Sequence, residues 1–184
     1  MSTVSQSAAT LPAGNWVLDG VHSQVSFGVR YHVGTFRGSF SPVSAQLDVS
    51  ADGNATLTGS APVSGVHVQD PNLNGHLMAP EFFDADVSPE LSFRSTRITD
   101  AGDSIAIDGE LTIKGTTLTV AATGTVGEGA EYMGRPYFGL TLQTTIDRNQ
   151  FGIRWQNPLP NGEPALGDDV VITAELFFAQ PAAA

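Results

Sequence analysis

The sequence of 184 residues contains no cysteine and a single lysine, Lys114, and these absences exclude several classes of protein. Without cysteine there is no disulfide framework, no thiolate nucleophile and no cysteine-rich zinc site. Lysine and arginine together number 8 against 19 acidic residues, which gives a formal net charge of −11. Because phosphate backbones and anionic lipid surfaces repel such a chain, we expect no nucleic-acid partner.

Long apolar runs are also absent. No stretch of about 18 apolar residues occurs, so the sequence predicts no membrane-spanning helix. The opening segment MSTVSQSAATLPAGN has neither a basic start nor a continuous apolar core, and we therefore expect no secretory signal and a soluble, cytoplasmic protein. We predict disordered tails at residues 1–14 and 181–184 and a single domain over residues 15–180.

The sequence does contain a regular alternation of apolar and polar residues, which is typical of β-strands with one buried face. In the segment QVSFGVRY, the apolar residues Val25, Phe27, Val29 and Tyr31 share one parity, and the period extends back to Val21. The same period recurs at residues 45–49, 105–113, 118–126, 138–146 and 170–178. These segments are predicted to be long strands.

Glycine stands beside small polar residues at 51–54, 99–104 and 114–117, and each of these sites predicts a hairpin turn. One segment, DPNLNGHLMAP, predicts a short helix instead. Asp70 can cap its amino end, Pro71 suits its first position and Pro80 ends it. The chain therefore reads as a series of antiparallel strands with one helical interruption.

Seven or eight long strands with one short helix fit either a two-layer sandwich or a closed barrel. A barrel is favoured because closure removes exposed strand edges, which this chain has few lysines to protect. The predicted fold class is thus all-β, with an antiparallel barrel of about eight strands. Periodicity alone does not distinguish a filled interior from a hollow one.

The histidines are candidates for chemistry, but their spacing gives little support to a shared site. On one continuous strand, His22 and His32 would lie roughly 33 Å apart, so they cannot bind one metal ion. Asp19 and His22 are predicted to hydrogen-bond within a turn. His67 and His76 lie near several carboxylates but match no metal-binding motif, which favours a solvated acidic loop.

Several segments, taken in order, resemble a known family. They are WVLDGVHSQVSFGVRYH and TFRGSF, DPNLNGHLMAPEFFDAD with LSFRST, GELTIKGTTLTV, and IDRNQFGI. Each is weak alone, but from Trp16 to Phe178 their order and spacing resemble the YceI-like, polyisoprenoid-binding family of lipocalin-like barrels. The resemblance implies an extended eight-stranded antiparallel β-barrel with one short helix near the mouth. It also implies an isoprenoid lying along an apolar tunnel, and it allows a homodimer.

The function implied by the resemblance is non-catalytic binding, transport or storage of a long-chain isoprenoid lipid, with no cofactor. The head group can be a prenyl quinone or a polyprenyl alcohol or phosphate, and a neutral quinone suits the acidic chain best. Two alternatives stay open. One is a lipid-modifying enzyme that uses Tyr31, His32 or Asp147 as acid or base, and the other is a ligand-free interaction module with a filled barrel.

Burial of the tail should dominate the affinity for such a ligand. Each buried CH₂ contributes about 0.8 kcal/mol, whereas one hydrogen bond to a head group contributes about 1 kcal/mol. Leu77, Phe82 and Phe83 are predicted to form a lid, and the inward parity of the strands is predicted to line the tunnel. With that lid, the predicted ligand-binding residues are Val25, Phe27, Val29, Tyr31, Leu77, Phe82, Phe83, Phe93, Ile107, Leu111, Leu118, Val120, Phe138, Leu140, Leu142, Leu176 and Phe178.

Overall fold

Segments of alternating polarity form twelve strand segments in the computed structural model, which describes residues 10–182. β-branched and aromatic residues are frequent in them, as expected for pleated, half-buried surfaces. The strands are β1 Gly14–Leu18, β2 Gln24–Tyr31, β3 Gly34–Phe40, β4 Ser44–Val49, β5 Ala55–Pro62, β6 Val66–His67, β7 Glu90–Asp100, β8 Ile105–Ile113, β9 Thr116–Val126, β10 Ala130–Tyr132, β11 Arg135–Asp147 and β12 Leu166–Ala179.

Eight strands close into a barrel, because several short segments combine into longer bent strands. β1 and β2 both pair with β12, while β4 pairs with β1 and β3 pairs with β2. β5 and β6 extend the sheet from β4 and β3 in the same way. The remaining pairs follow chain order from β5 through β7, β8, β9 and β11 to β12, and all are antiparallel. The predicted eight-stranded antiparallel barrel is confirmed.

The three predicted hairpins are confirmed by the backbone. Gly53, Gly102 and Gly115 have φ values of 88°, 87° and 73°, and they connect β4 to β5, β7 to β8 and β8 to β9. At the last turn Lys114 also has a positive φ of 51°. Two consecutive residues with positive φ are typical of a tight hairpin whose twist matches that of its strands.

The predicted helix is confirmed as α1, which spans Pro71–Met78. The Asp70 carboxylate caps it by accepting the backbone N–H of Asn72 at 2.7 Å. Leu77 is the buried residue of this helix and faces the barrel interior. Over residues 10–182, no helix has both the length and the apolar character needed to cross a membrane.

The prediction that the alternating strand pattern begins at Val21 is wrong. β1 ends at Leu18 and β2 begins at Gln24, and Val21 lies in the turn between them with 88 % of its surface exposed. The Asp19 carboxylate fixes this turn by accepting the backbone N–H of Val21 at 3.0 Å and contacting Nδ1 of His22 at 2.7 Å. The predicted hydrogen bond between Asp19 and His22 is therefore confirmed.

The chain ends are described only in part. Residues 1–9 and 183–184 of the predicted tails lie outside the described residues. Within the described part, the backbone N–H of Leu11 donates to Asp100 at 2.6 Å, and the Trp16 indole N–H donates to the carbonyl of Pro12 at 2.8 Å. These contacts tie residues 11–12 to the barrel, while the extents of the domain and tails stay predictions.

The barrel interior divides into two apolar clusters, which we call the solid half and the hollow half. In the solid half, Phe138 packs edge-on against Trp16 and stacks on Phe178, with ring centroids 4.8 and 5.7 Å apart. The buried residues of the solid half are Trp16, Leu47, Val49, Leu57, Ile105, Ile107, Phe138, Leu140, Leu142, Leu176 and Phe178. Those of the hollow half are Val29, Phe40, Ala61, Val66, Leu77, Phe82, Ile113, Ile146, Phe151, Ile153 and Leu166.

Candidate functional site

The hollow half contains a cavity of about 360 Å³ whose wall is almost wholly apolar. Side chains from both sides of the barrel contribute to it, together with α1 and the segments that follow α1 and β11. Binding sites for small molecules have volumes of about 300–1,000 Å³ and are mostly lined by apolar groups. The cavity therefore has the size and chemistry of a site for a small apolar ligand.

The register of β11 and β12 shows why the cavity begins where it does. Their inward-facing cross-strand pairs, counted from the solid half, are Phe138 with Phe178, Leu140 with Leu176, and Leu142 with Ala174. Side-chain volume falls at each step, and Ala174 is the first small residue of this series. The small side chain of Ala174 therefore leaves free space in front of the wall at this level.

On the opposite wall, the inward-facing side chains also change from large to small. On β4 and β5, Leu47 pairs with Leu57, and the next inward pair is Ala45 with Gly59. Leu57 and the β11 and β12 residues Leu142 and Leu176 belong to the solid half and also border the cavity. We call these three leucines the floor residues, because packed core lies on one side of them and free volume on the other.

A row of four phenylalanine rings forms one side of the cavity wall. Phe27 lies 6.3 Å from Phe36 and 5.8 Å from Phe40, and Phe40 lies 5.6 Å from Phe83, measured between ring centroids. The Phe27 ring sits directly over Gly38, where a Cβ atom would overlap it. Glycine at this position therefore gives the ring its space.

A second aromatic cluster covers the end of the hollow half. His76 of α1 lies edge-on to Phe82 and Trp155, with centroids 4.8 and 5.4 Å away. Phe82 and Trp155 are 5.3 Å apart. His76 also approaches Glu81, with 3.2 Å between Nε2 and a carboxylate oxygen. This cluster joins α1 to two irregular segments, residues 79–89 and 152–165, which we call the cover segments.

Lys114 connects the two cover segments. Its ammonium group donates to the carbonyl of Pro80 at 2.5 Å in one segment and to that of Gly152 at 3.2 Å in the other. The positive φ of Lys114 at the β8–β9 turn places the side chain between them. A single side chain thereby holds both segments at the hollow end.

Arg148 holds the second cover segment from inside. It is only 4 % exposed and borders the cavity. Nη2 lies 3.6 Å from the carboxylate of Asp168. Burial lowers the pKa of Arg148, and the nearby charges of Asp168 and Asp147 oppose that shift. Its guanidinium donates to the backbone carbonyls of Ile153 at 2.8 Å, Trp155 at 2.9 Å, Gly167 at 2.7 Å and Leu166 at 3.4 Å.

Most of the predicted ligand-binding residues border the cavity. They are Val25, Phe27, Val29, Tyr31, Leu77, Phe82, Phe83, Phe93, Leu111, Val120, Leu142 and Leu176. Leu118 is half-buried and packs against the hollow-half cluster without bordering the cavity. Ile107, Phe138, Leu140 and Phe178 lie in the solid half instead. Parity identified their inward face, but it carries no information on what fills the space in front of it.

Other residues of the cavity wall were not predicted from the sequence. The alternating pattern had assigned Val170 and Ile172 an inward face, so a signal for them existed. Trp155 lies in an irregular segment where apolar and polar residues do not alternate, so the sequence contains no signal for it. Arg148 belongs to the segment IDRNQFGI, but the sequence did not indicate a role for it. Further apolar wall residues that were not predicted are Phe36, Phe40, Leu91, Ile113, Ile146, Phe151, Ile153 and Leu166.

The three acid–base candidates occupy different surroundings. Tyr31 borders the cavity. His32 is exposed at the β2–β3 turn with a φ of 51°, and its ring lies edge-on to that of Tyr31 at 4.3 Å. Asp147 accepts the backbone and side-chain N–H groups of Asn149, both at 2.9 Å. Among residues 10–182, no three His, Asp or Glu side chains are grouped closely enough to hold a metal ion.

This chain is similar to known proteins in sequence and in fold. A UPF0312 protein of Staphylococcus aureus strain bovine RF122 / ET3-1 is 28% identical over 175 residues, covering 89% of this chain and 96% of that protein. The crystal structure of Burkholderia cenocepacia BcnA has a TM-score of 0.72 at 24% identity and covers 87% of this chain and 98% of its own.

Two further solved structures have the same fold. A Campylobacter jejuni YCEI protein has a TM-score of 0.71 at 20% identity, over 82% of this chain and 88% of its own. A polyisoprenoid binding domain from Saccharophagus degradans has a TM-score of 0.64 at 12% identity, over 90% and 98%. The family model described as YceI-like domain matches residues 16–178. Because this match spans most of the sequence, the chain belongs to the YceI-like family.

Proposed function

We propose that this protein binds a long-chain isoprenoid lipid for transport or storage and does not change it chemically. The observation that carries this proposal is the almost wholly apolar wall of the cavity in the hollow half. Such a wall offers a tail a dry environment and offers water few hydrogen bonds. The shared fold of a polyisoprenoid binding domain supports the choice of an isoprenoid tail.

The energetics of the cavity favour recognition of the tail over recognition of the head group. Each CH₂ group that leaves water contributes about 0.8 kcal/mol, so a few isoprene units outweigh any single polar contact. The row of phenylalanine rings adds close packing along one side. Affinity is therefore expected to rise with the amount of tail that fits inside.

A neutral head group, such as that of a prenyl quinone, fits the polar groups around the cavity best. The donors of Arg148 and Lys114 are directed at backbone carbonyls, so a phosphate would have to compete for them. The formal net charge of −11 also disfavours an anionic ligand. A quinone or alcohol needs only single hydrogen bonds, which Tyr31 and His76 on the wall can provide.

Native mass spectrometry of the purified protein, followed by organic extraction, tests the proposal directly. We expect a discrete added mass that extracts as a prenyl lipid, or uptake of a prenyl quinone on incubation. The matched variants Ile172→Asp, on the cavity wall, and Val171→Asp, on the outer face, serve as the control pair. Loss of lipid only in Ile172→Asp supports the cavity as the site, whereas a bare protein that takes up no prenyl quinone overturns the proposal.

The non-catalytic part of the proposal needs its own measurement. After prolonged incubation with a prenyl quinone or prenyl alcohol, we expect the extracted lipid to be unchanged by mass and retention time. Tyr31 borders the cavity and is the side chain to substitute if a product forms. A product that disappears with Tyr31→Phe, while binding persists, would instead identify a lipid-modifying enzyme.

A further inference from the structure

The cavity ends at a closed floor. On β12, the inward-facing residues change from Phe178 and Leu176 to Ala174, and on β5 they change from Leu57 to Gly59. Both changes occur beside the floor residues Leu57, Leu142 and Leu176, although they lie on different arcs of the barrel. The boundary between packed and free space is therefore formed by residues of β5, β11 and β12.

Below the floor, the barrel is tightly filled. Phe138, Leu140 and Phe178 are each 2 % exposed or less, and Trp16 closes over the Phe138 ring. A core of this density accepts an extra methylene only with strain. A tail that reaches the floor has no room to extend further.

We propose that the floor residues, together with Ala174, set the longest tail that the protein binds with full affinity. The inference rests on the proposed function and adds its specificity determinant. A bound tail fills the hollow half, and its end stops against Leu57, Leu142 and Leu176. Carbon atoms beyond that length stay outside the cavity and contribute little to binding.

The dimensions of the wall indicate the scale of the limit. The wall residues of β2 run from Val25 to Tyr31. At about 3.3 Å per residue and a strand tilt of about 40°, that distance corresponds to about 15 Å along the barrel axis. Of the proposed long-chain ligand, only a terminal length of about 15 Å is therefore enclosed.

The test uses straight-chain 1-alkanols of increasing length, because they lengthen by one methylene at a time. Dissociation constants are measured by displacement of a bound apolar fluorescent dye from the full-length protein. In the unmodified protein, affinity is expected to rise by up to about fourfold per methylene and then to stop rising at a defined length. Affinity that keeps rising through the longest alkanol overturns the inference.

Two variants move the floor in opposite directions. Leu176→Ala removes about three carbon atoms from the floor and is expected to shift the limit longer by about three methylenes. Ala174→Leu fills the first free level and is expected to shift the limit shorter by a similar number. The matched control, Leu111→Ala, alters the side wall and is expected to weaken binding at every length without moving the limit.

The outcomes separate the two proposals. If Leu176→Ala does not fold, Ala174→Leu alone tests the role of the floor residues. An unchanged length limit in that variant overturns the inference. A parallel measurement with farnesol and geranylgeraniol tests the isoprenoid function. If the variants shift the length limit for alkanols but no prenyl alcohol binds, the role of the floor residues holds and the isoprenoid function is overturned. If prenyl alcohols bind but the variants leave the length limit unchanged, the isoprenoid function holds and the role of the floor residues is overturned.

Discussion

The solid and hollow halves of the barrel are built from the same strands, yet one is a packed core and the other encloses free space. β11 contributes Phe138 and Leu140 to the first and Ile146 to the second, with the same inward parity throughout. The difference lies in side-chain size at a few positions, above all Ala174 and Gly59. The most tightly packed core and the free space are thus separated along the barrel axis.

The substitution with the largest expected effect is Phe138→Asp in the solid half. A carboxylate among the rings of Trp16 and Phe178 would have no polar partner, and we expect a loss of more than about 5 kcal/mol in the free energy of unfolding. Circular dichroism and urea unfolding measure the change. The control is Thr141→Asp on the outer face of the same strand, which is expected to fold. A folded Phe138→Asp protein of normal stability would contradict the solid core.

A matched pair of leucine substitutions sharpens the comparison. Leu140→Ala opens a new cavity in the solid half and is expected to cost about 3–4 kcal/mol of unfolding free energy. Leu111→Ala enlarges existing free space at a half-buried position and is expected to cost about 1 kcal/mol. Urea unfolding gives both values. Equal losses would mean that the hollow half is packed as tightly as the solid half in solution.

The hollow half depends on the hydrogen bonds of a buried arginine as well as on apolar packing. Arg148→Met would leave the carbonyls of Ile153 and Trp155 without their donor, and we expect a loss of about 3 kcal/mol in the free energy of unfolding. Hydrogen exchange is expected to quicken across residues 152–165. Asp168→Asn is the control, because that side chain is 66 % exposed and should cost less than about 1 kcal/mol. A change confined to the solid half would contradict the role of Arg148.

The smallest effect is expected on the outside of the solid half. Burial and the hydrogen bond to Asp19 raise the pKa of Tyr137 to about 12. Because the folded state favours the protonated phenol, this contribution to stability is complete below about pH 10 and is lost as the pH rises through about 12. Absorbance titration of tyrosinate checks the value, and Asp19→Asn should lower it. Asp19→Asn should also leave lipid binding unchanged, and altered binding would mean that the turn influences the cavity.

The hydrogen bond to His22 is the largest cause that lowers the pKa of Asp19. A carboxylate with a lowered folded pKa adds stability above its unfolded pKa, and this is lost as the pH falls through the folded value. The hydrogen-bonded contact between the turn and β11 therefore responds to acid through Asp19 and to alkali through Tyr137. Unfolding measured across both pH ranges in Asp19→Asn is expected to show both responses reduced.

The sequence revealed the barrel because its signals are local. Alternating residues define strands, paired turn residues define hairpins, and Asp70 with Pro71 defines the helix start. The error at Val21 arose because the Asp19 carboxylate bends a chain whose parity appeared continuous. The hydrogen bonds of Asp19 to residues two and three positions later therefore form a turn, although the alternating pattern predicts a strand.

The boundary of the cavity could not be read from the sequence, because it depends on pairs distant in the chain. Leu47 meets Leu57 and Ala45 meets Gly59 only through the register of β4 and β5. Likewise, Ala174 pairs with Leu142, and Leu176 with Leu140, only through the register of β11 and β12. Parity gave Phe138 and Phe93 the same inward face, while their neighbours place one in the core and the other on the cavity wall.

The position of Lys114 makes the cover of the barrel open to selective chemistry. As the single lysine of the sequence, it is the one side chain that an amine-directed acylating reagent meets. Acylation converts the ammonium into an amide with one N–H, which cannot hold both Pro80 and Gly152. One covalent modification would therefore remove the hydrogen-bonded link between the two cover segments and leave the aromatic contact of Phe82 with Trp155 to hold them together.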